Sequence, residues 1–409
     1  MITIPSLHLA ALVLAGTTVA STPQTPAPAP ATAAASDSTN ANTDIITVAI
    51  TNPLAAPRAH EIISLSTTAL NQAAPGFDLK TALVVDAAGK PVLSQLVDVD
   101  GDDSPDEIVF QTDLGAKQTK TFQLKAGKRE LASRDDYKAY GRFVRERHDD
   151  FAWENDLVAH RMYGPDLETC KKEPLISSGI DVWVKRVPKL VVNDWYMTDD
   201  YHQDHGEGAD FYGVGKTRGC GGLGIWANGK LEVSKNFTHS RVLANGPIRL
   251  VFELSYAPWA AGGAQVAETK RITLDAGTHF NRFESTFSGA KGPLSVGIGI
   301  SKHKGGEVKV DVRKGWMRTW EPLDDGKNGH LGCAIVLPPA VKSQAHRLDT
   351  DYLLVAAVPA SGRLTYYAGS GWDRSGSVKD AAAWAKEVQS LADRLAAPVK
   401  VKLTVAKVR

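Results

Sequence analysis

The chain has 409 residues, a net charge of +1 and 43% apolar residues. The balanced charge excludes a strongly basic nucleic-acid binder and a chain drawn to an anionic membrane. The length is too great for one small core and fits one large β domain or two domains.

Residues 1–20 read as an export signal: positions 7–20 are mostly apolar and end in the small residues Thr18-Val19-Ala20. The run is too short to span a bilayer in the mature protein. No Cys follows it, so nothing points to a lipid anchor there. Residues 21–43 are rich in Pro, Ala, Thr and Ser, with no apolar period, and read as a disordered linker. The expected location is periplasmic or secreted. The three cysteines, Cys170, Cys220 and Cys333, allow at most one bridge. The sequence favours no pair over three buried thiols.

From residue 44 onward the texture is mainly β. Ile46, Val48 and Ile50 alternate with polar or small residues. Segments 81–85, 90–99, 107–112 and 118–124 continue the pattern, so residues 44–130 form a β-rich N-terminal part. Residues 131–409 form the main domain. Strands are expected at 231–234, 247–256, 264–274, 280–287 and 294–301. Ile248, Leu250, Phe252, Leu254 and Tyr256 fall on one face of their strand, Arg249 and Glu253 on the other. Such a sheet packs its oily face on a second sheet. One late helix follows from the spacing of Trp384, Val388, Leu391 and Leu395, with Ser377 and Asp380 resembling a capping box. A last strand covers 399–405.

Several polar motifs occur in a distinctive order. Arg-His-Asp-Asp-Phe-Ala-Trp-Glu-Asn-Asp ends at Asp156, and Tyr163-Gly164-Pro165 follows. Then come Ser178-Gly179-Ile180-Asp181-Val182-Trp183, Tyr201-His202 to Asp210, Arg218-Gly219-Cys220-Gly221-Gly222 and Leu243 to Arg249. Together they resemble the DUF4861 family of exported bacterial proteins, over roughly Ile46 to the C-terminus. The resemblance implies an association with the breakdown of uronic-acid polysaccharides such as pectin. The Gly-Pro-Ile-Arg and Lys270-Arg271-Ile272-Thr273-Leu274 strands look like the β-supersandwich of galactose mutarotases and polysaccharide lyases. That is analogy at the level of fold, which does not fix chemistry.

The loop 201–224 carries His202-x-x-His205-x-Glu207-x-x-Asp210. Two imidazoles and two carboxylates suit zinc or a similar divalent ion. Gly206 and Gly208 exclude the helical metalloprotease arrangement. A second expectation makes His202 or His205 a general base and Tyr212 the acid, as a lyase acting on a uronate requires. Arg218 would then neutralise the substrate carboxylate. The bland alternative is a hydrogen-bonded surface loop.

Trp153, Glu154, Asn155 and Asp156, with His160 and Arg161, form a second cluster. Trp stacks on sugar faces while the polar groups bind hydroxyls. The competing expectation is that the tryptophan is core. His303, in a basic trio at a strand end, is a further candidate for the sugar site, with a surface basic cluster as the competing expectation. Asp98, Asp100, Asp102 and Asp106 surround Gly101 with the alternation of a calcium loop, or else form a solvated acidic turn. The Gly215-Lys216-Thr217 and Gly219-x-Gly221-x-x-Gly224 motifs imitate nucleotide loops but lack the first glycine and the following helix, respectively.

The sequence therefore favours a carbohydrate-active protein acting on acidic oligosaccharides, with lyase chemistry foremost. The rivals are a glycoside hydrolase pairing Glu154 with Glu207 and a non-catalytic sugar-binding protein.

Overall fold

The computed structural model describes residues 45–130, 132–172, 174–198 and 200–406. The expected export signal and linker lie outside the described residues. The protein is mainly β. No helix among the described residues is long and apolar enough to cross a membrane.

The N-terminal part is a small sandwich. One sheet contains Ile45–Thr51, Thr119–Ala126 and Ala82–Asp86; the other contains Arg58–Ser66, Glu107–Leu114 and Ser94–Val97. The alternation at Ile46, Val48 and Ile50 sets all three inward, against Ile63, Leu65, Phe110 and Leu124. The chain's last strand, Lys400–Ala406, returns to this sheet and pairs with Ile45–Thr51 along its whole length. One strand of the first sheet thus comes from the far end of the sequence.

The main body is a broad two-layer sandwich. Its large sheet has eight strands in the order His239–Ala244, Arg249–Ala261, Ala264–Asp275, Phe280–Ser288, Arg363–Trp372, His330–Val336, Trp316–Pro322 and Glu307–Asp311. Leu250, Phe252, Leu254, Ile272 and Phe283 share its buried inner face. The outer face is charged, as the alternation predicts. Arg271 pairs with Glu253 at 2.7 Å and Arg249 with Asp275 at 2.7 Å. The small sandwich docks on this face: Gln95 accepts from the backbone of Ile248 and Arg249, and Glu107 pairs with Arg249.

Two five-stranded sheets cover the inner face. One is built around Cys220–Ala227, Ser295–Ser301 and Asp351–Ala357. The other, the middle sheet, contains Ala139–Val144, Asp150–Asn155, Ala159–Met162, Asp181–Lys185 and Gly208–Ala209. A parallel bridge from Ile180 to Gly219 joins them. Gly219 has φ +61°, and a Cβ there would stand 2.0 Å from the Ile180 carbonyl oxygen. Only glycine permits the junction.

The late helix, Ala381–Ala396, starts from Asp380, whose carboxylate accepts from Ala383 N–H. Asp380 alone caps it; Ser377 bonds to Ser375 instead. Trp384 is fully buried and stacks on Phe280 with centroids 5.4 Å apart. Trp384→Ala is expected to cost about 3–5 kcal/mol, because the cavity left against Phe280 cannot close. Urea denaturation measures the loss, and a cost below about 1 kcal/mol would show that the helix docks without its tryptophan.

Candidate active site

The middle sheet sorts its polar residues by strand parity. Trp153 stands opposite His160, which in turn pairs with Val182, while Ala152 stands opposite Arg161, which pairs with Asp181. The first row faces the large sheet. The second row, with Asp150 two positions along, faces away.

Most of the expected sugar-contact cluster belongs to the interior. Trp153 is fully buried, donates from Nε1 to Asn281 Oδ1 at 2.7 Å and stacks on His160 at 5.3 Å. It is a core residue, not a sugar platform. His160 is buried with it, and burial pushes its imidazole down to about 3. Glu154 accepts from Lys185 Nζ at 2.7 Å and from Val191 and Val192 N–H, with no exposed surface. Asn155 accepts from Leu157 and Val158 N–H and donates to the Asp275 and Thr278 carbonyls, so it ties a turn to the large sheet. Asp156 accepts from Gly277 N–H at 2.7 Å and lines a different cavity. Arg161 alone enters the cleft described next.

Arg161 is buried among carboxylates. Its Nε and Nη2 bond Asp181 Oδ2 at 3.0 and 2.6 Å, and Nη2 also bonds Asp210 Oδ2 at 2.9 Å. Nη1 lies 3.2 Å from the Tyr201 hydroxyl and 3.8 Å from Asp150 Oδ2. The guanidinium sits over the rings of Tyr163, Trp183 and Tyr201 at 5.3, 5.6 and 5.5 Å. Arg147 adds a second guanidinium, donating from Nε to the Tyr201 hydroxyl at 2.7 Å and pulling on Asp150, yet burial still dominates the three carboxyls. Burial pushes the Asp150 carboxyl up to about 6, although Arg161 pulls it down. Burial likewise raises Asp181. It raises Asp210 well above the carboxylate range, with Asp181 adding repulsion. Burial also opposes the Arg161 charge, but Asp181 and Asp210 outweigh it and hold the guanidinium firmly protonated. Shared burial thus raises all three carboxyls, while Arg161 keeps its charge.

The 201–210 loop completes the site. Gly208 and Ala209 pair with Lys185 and Val184. A Cβ on Gly208, at φ +120°, would meet the Val184 carbonyl oxygen at 1.9 Å. The bare backbone lets the loop lie on the sheet edge and delivers Asp210 to Arg161. His202 stands at the mouth, mostly exposed, with Nδ1 3.2 Å from the Asp210 carbonyl oxygen and 3.6 Å from its carboxylate. Together with Tyr163, Phe211 and Lys216 these groups line a cleft of about 570 Å³. That size suits a small organic ligand.

Other expected site residues lie elsewhere. His205 is exposed and 3.0 Å from the Asp200 carboxylate, outside the cleft. Glu207 is held by Lys189 at 2.6 Å and Trp195 Nε1 at 3.3 Å. His202, His205, Glu207 and Asp210 thus face separate partners and gather no metal site. The Tyr212 ring lines the cleft, but its hydroxyl is buried, and burial beside Cys333 and Glu321 raises it well above its usual range. Its proton cannot reach a ligand in this conformation. Arg218 is buried, donating to Ser178 Oγ and the Lys216 carbonyl, both at 3.0 Å. It braces the loop. His303 bridges Glu321 and the Gly213 carbonyl, each at 2.7 Å. Burial opposes its charge, but these two acceptors prevail and raise its imidazole.

Among the described residues, the carboxylates that gather as a metal ion requires are Asp98, Asp100 and Asp106, with ligand oxygens within 4.8 Å of one another. Three such oxygens are fewer than the roughly six to eight that calcium takes, and Asp98 already accepts from Asp100 and Asp103 N–H, as a self-bonded acidic turn does. Asp102 is outside the group and accepts from Ser104 N–H at 2.8 Å.

Asp150 and Asp181 stand within the motifs, but residue type alone does not set them apart from their neighbours. The available signal was an acid in the middle of an apolar strand, Ile180-Asp181-Val182, which needs a buried partner.

The Asp150 shift has a measurable consequence. Its carboxyl titrates near 6 in the folded protein and near 3.8 otherwise. Between those values the folded state binds more protons, so stability falls as pH rises through this window. Asp150→Asn removes that contribution while keeping an acceptor for Gly164 N–H. From pH 4 to pH 7 the variant is expected to gain about 2–3 kcal/mol relative to the native protein. Urea midpoints across that range measure the gap, and a constant gap would mean that Asp150 titrates normally.

A family model described as "Domain of unknown function (DUF4861)" matches residues 50–401. A Formosa agariphila protein named "Uncharacterized protein P7" is 35% identical over 371 residues, 87% of this chain and 93% of that one. Two solved Enterococcus faecalis structures overlay on 89% of this chain. One is an alpha-mannosidase, at TM-score 0.44 and 11% identity; the other is a protein in the Glycosyl Hydrolase Family 38, at TM-score 0.46 and 12% identity. The chain spans about half the length of each, 46% and 48%. These overlays are loose and assign no chemistry. With the family model matched across most of its length, the chain belongs to the DUF4861 family.

Proposed function

We propose that this protein is an exported carbohydrate-active enzyme that transfers protons on an acidic oligosaccharide held in the Arg161 cleft. The observation that carries the proposal is the buried Arg161–Asp150–Asp181–Asp210 cluster at the edge of an open cleft, with the exposed His202 beside Asp210. Aromatic walls from Tyr163 and Phe211 suit sugar faces, and the polar lining suits hydroxyls. Lys216, exposed on the rim, would meet the uronate carboxylate, in the place expected of the buried Arg218.

In the lyase form of the reaction, His202 accepts the proton from the carbon next to the carboxylate. The carbon–oxygen bond to the leaving sugar breaks as a double bond forms. Asp210, whose carboxyl is raised well above its usual range, supplies a proton to the departing oxygen. Lys216 offsets the charge that develops on the uronate.

One observation favours a second chemistry. Asp181 Oδ2 and Asp210 Oδ2 bond the same Arg161 nitrogen, at 2.6 and 2.9 Å, so they are no farther apart than those lengths end to end. Paired carboxyls of retaining glycosidases stand about 5 Å apart. Hydrolysis at this pair would replace the Glu154–Glu207 pairing, since Glu154 is enclosed.

Incubation with uronate oligosaccharides separates the chemistries. Elimination gives an unsaturated product that absorbs in the ultraviolet; hydrolysis gives reducing ends without it. His202→Gln is expected to lower kcat by ~10²-fold or more, whereas His205→Gln leaves it unchanged. Equal losses in the two variants, or none in either, would remove His202 from the mechanism.

A further inference from the structure

A second cluster of reactive side chains lies where the turn between Ala139–Val144 and Asp150–Asn155, carrying His148, meets the short helix Pro165–Thr169. Cys170 Sγ is 3.4 Å from His148 Nε2, and His148 Nδ1 is 2.9 Å from Asp166 Oδ2. The order is thiol, imidazole, carboxylate. With Nδ1–H donated to Asp166, the Nε2 lone pair faces the sulfur.

The backbone builds this arrangement at a local cost. His148 and Asp149 are consecutive non-glycine residues at φ +49° and +62°. That conformation is uncommon outside glycine, and two in a row need support from the surroundings. Gly164 supplies it. A Cβ there would stand 1.9 Å from the Asp149 carbonyl oxygen. Gly164 N–H also donates to Asp150 Oδ1 at 3.0 Å. The short helix Pro165–Thr169 then leaves Gly164, carries Asp166 in its first turn and ends at Cys170. Thiol and carboxylate are thereby set on the two nitrogens of one ring.

Accessibility separates this thiol from the others. Cys220 and Cys333 are buried, whereas Cys170 is only partly covered. Cys170 packs one side against the core, and the His148 and Asp166 side chains beside it are 34% and 59% exposed, so the cluster borders solvent. Two exposed lysines, Lys171 and Lys172, follow directly.

We propose that Cys170 is a nucleophilic thiol, activated by His148 and positioned through Asp166, that exchanges with small anionic disulfides. The step is a displacement along the S–S axis and needs no oxyanion hole. The Cys170 proton passes to His148 Nε2, and the sulfur attacks one sulfur of the disulfide. A new S–S bond forms, the old one breaks, and the departing thiolate takes up the proton from His148. No net electrons enter or leave. The lysines favour a reagent that carries carboxylates.

The test uses the full chain in its native state with 5,5′-dithiobis(2-nitrobenzoate), an aromatic disulfide bearing two carboxylates. One equivalent of thionitrobenzoate should appear quickly, and Cys170→Ser should abolish it. Cys220 and Cys333 should react only after denaturation. His148→Asn, chosen because asparagine tolerates the left-handed backbone, should slow the release by ~10-fold or more. Asp166→Asn should slow it less, with recovery in Asp166→Glu. Neutral iodoacetamide should rank wild type and His148→Asn in the same order, which separates activation from attraction by the lysines. No release from the native wild type would overturn the proposal. So would a His148→Asn variant that reacts at the wild-type rate with either reagent.

Discussion

The burial of three carboxyls around the Arg161 guanidinium, with Arg147 beside them, governs the candidate site. Desolvating four charged groups opposes folding, and the attraction between Arg161 and its partners offsets this only in part. The imbalance appears as raised carboxyls at Asp150, Asp181 and Asp210. A purely structural contact would be served as well by apolar packing on Trp183 and Tyr196. The polar arrangement instead sets carboxyls with raised pKa beside a cleft, an environment common at functional sites. The same cluster orders its surroundings. Asp210 ties the 201–210 loop to Arg161, and Asp150, behind the cleft, holds Gly164 N–H.

Much of the fold was legible because burial follows strand parity. Ile46, Val48 and Ile50 turn inward, and Arg249 and Glu253 turn outward from Leu250 and Phe252. Trp384 and Val388 mark the buried stripe of the late helix. The return of Lys400–Ala406 to the first sheet was not legible, since strand pairing across the length of the chain leaves no local signal. The helix cap shows a finer limit. Ser377 and Asp380 have the spacing of a capping box, but only Asp380 sits where its oxygen meets a free N–H.

The site was legible in part, for a related reason. Trp153 and Arg161 looked like members of one sugar-binding patch because they share a short polar segment. Strand parity puts them on opposite faces of the middle sheet. Trp153, bonded to Asn281 and stacked on His160, seals the interior, while Arg161 faces the cleft. The register Ala152–Arg161–Asp181 decides the matter, and it depends on pairings that no single segment contains. The 201–224 segment is unusual in its polarity, yet it is not one loop: Cys220–Ala227 is a largely buried strand, and the polar residues before it divide. His202 and Asp210 meet Arg161's cleft, His205 and Glu207 turn to Asp200 and Lys189, and Arg218 is enclosed.

Exposure then separates the groups able to move protons from those that only hold structure. Glu154, with Lys185 and two backbone N–H groups on its oxygens, has no unfilled position facing solvent. Tyr212 presents its ring to the cleft and its hydroxyl to the core. His202 differs from both. It is solvent-exposed, lies beside a carboxyl that burial has raised, and belongs to a loop fixed to the sheet through Gly208. A proton taken up by His202 at the mouth can be exchanged with water, whereas one held on Asp210 is shielded until a ligand or a shift of the ring brings it out. In the proposed reaction this division would give the exposed His202 the role of base and the sheltered Asp210 that of acid.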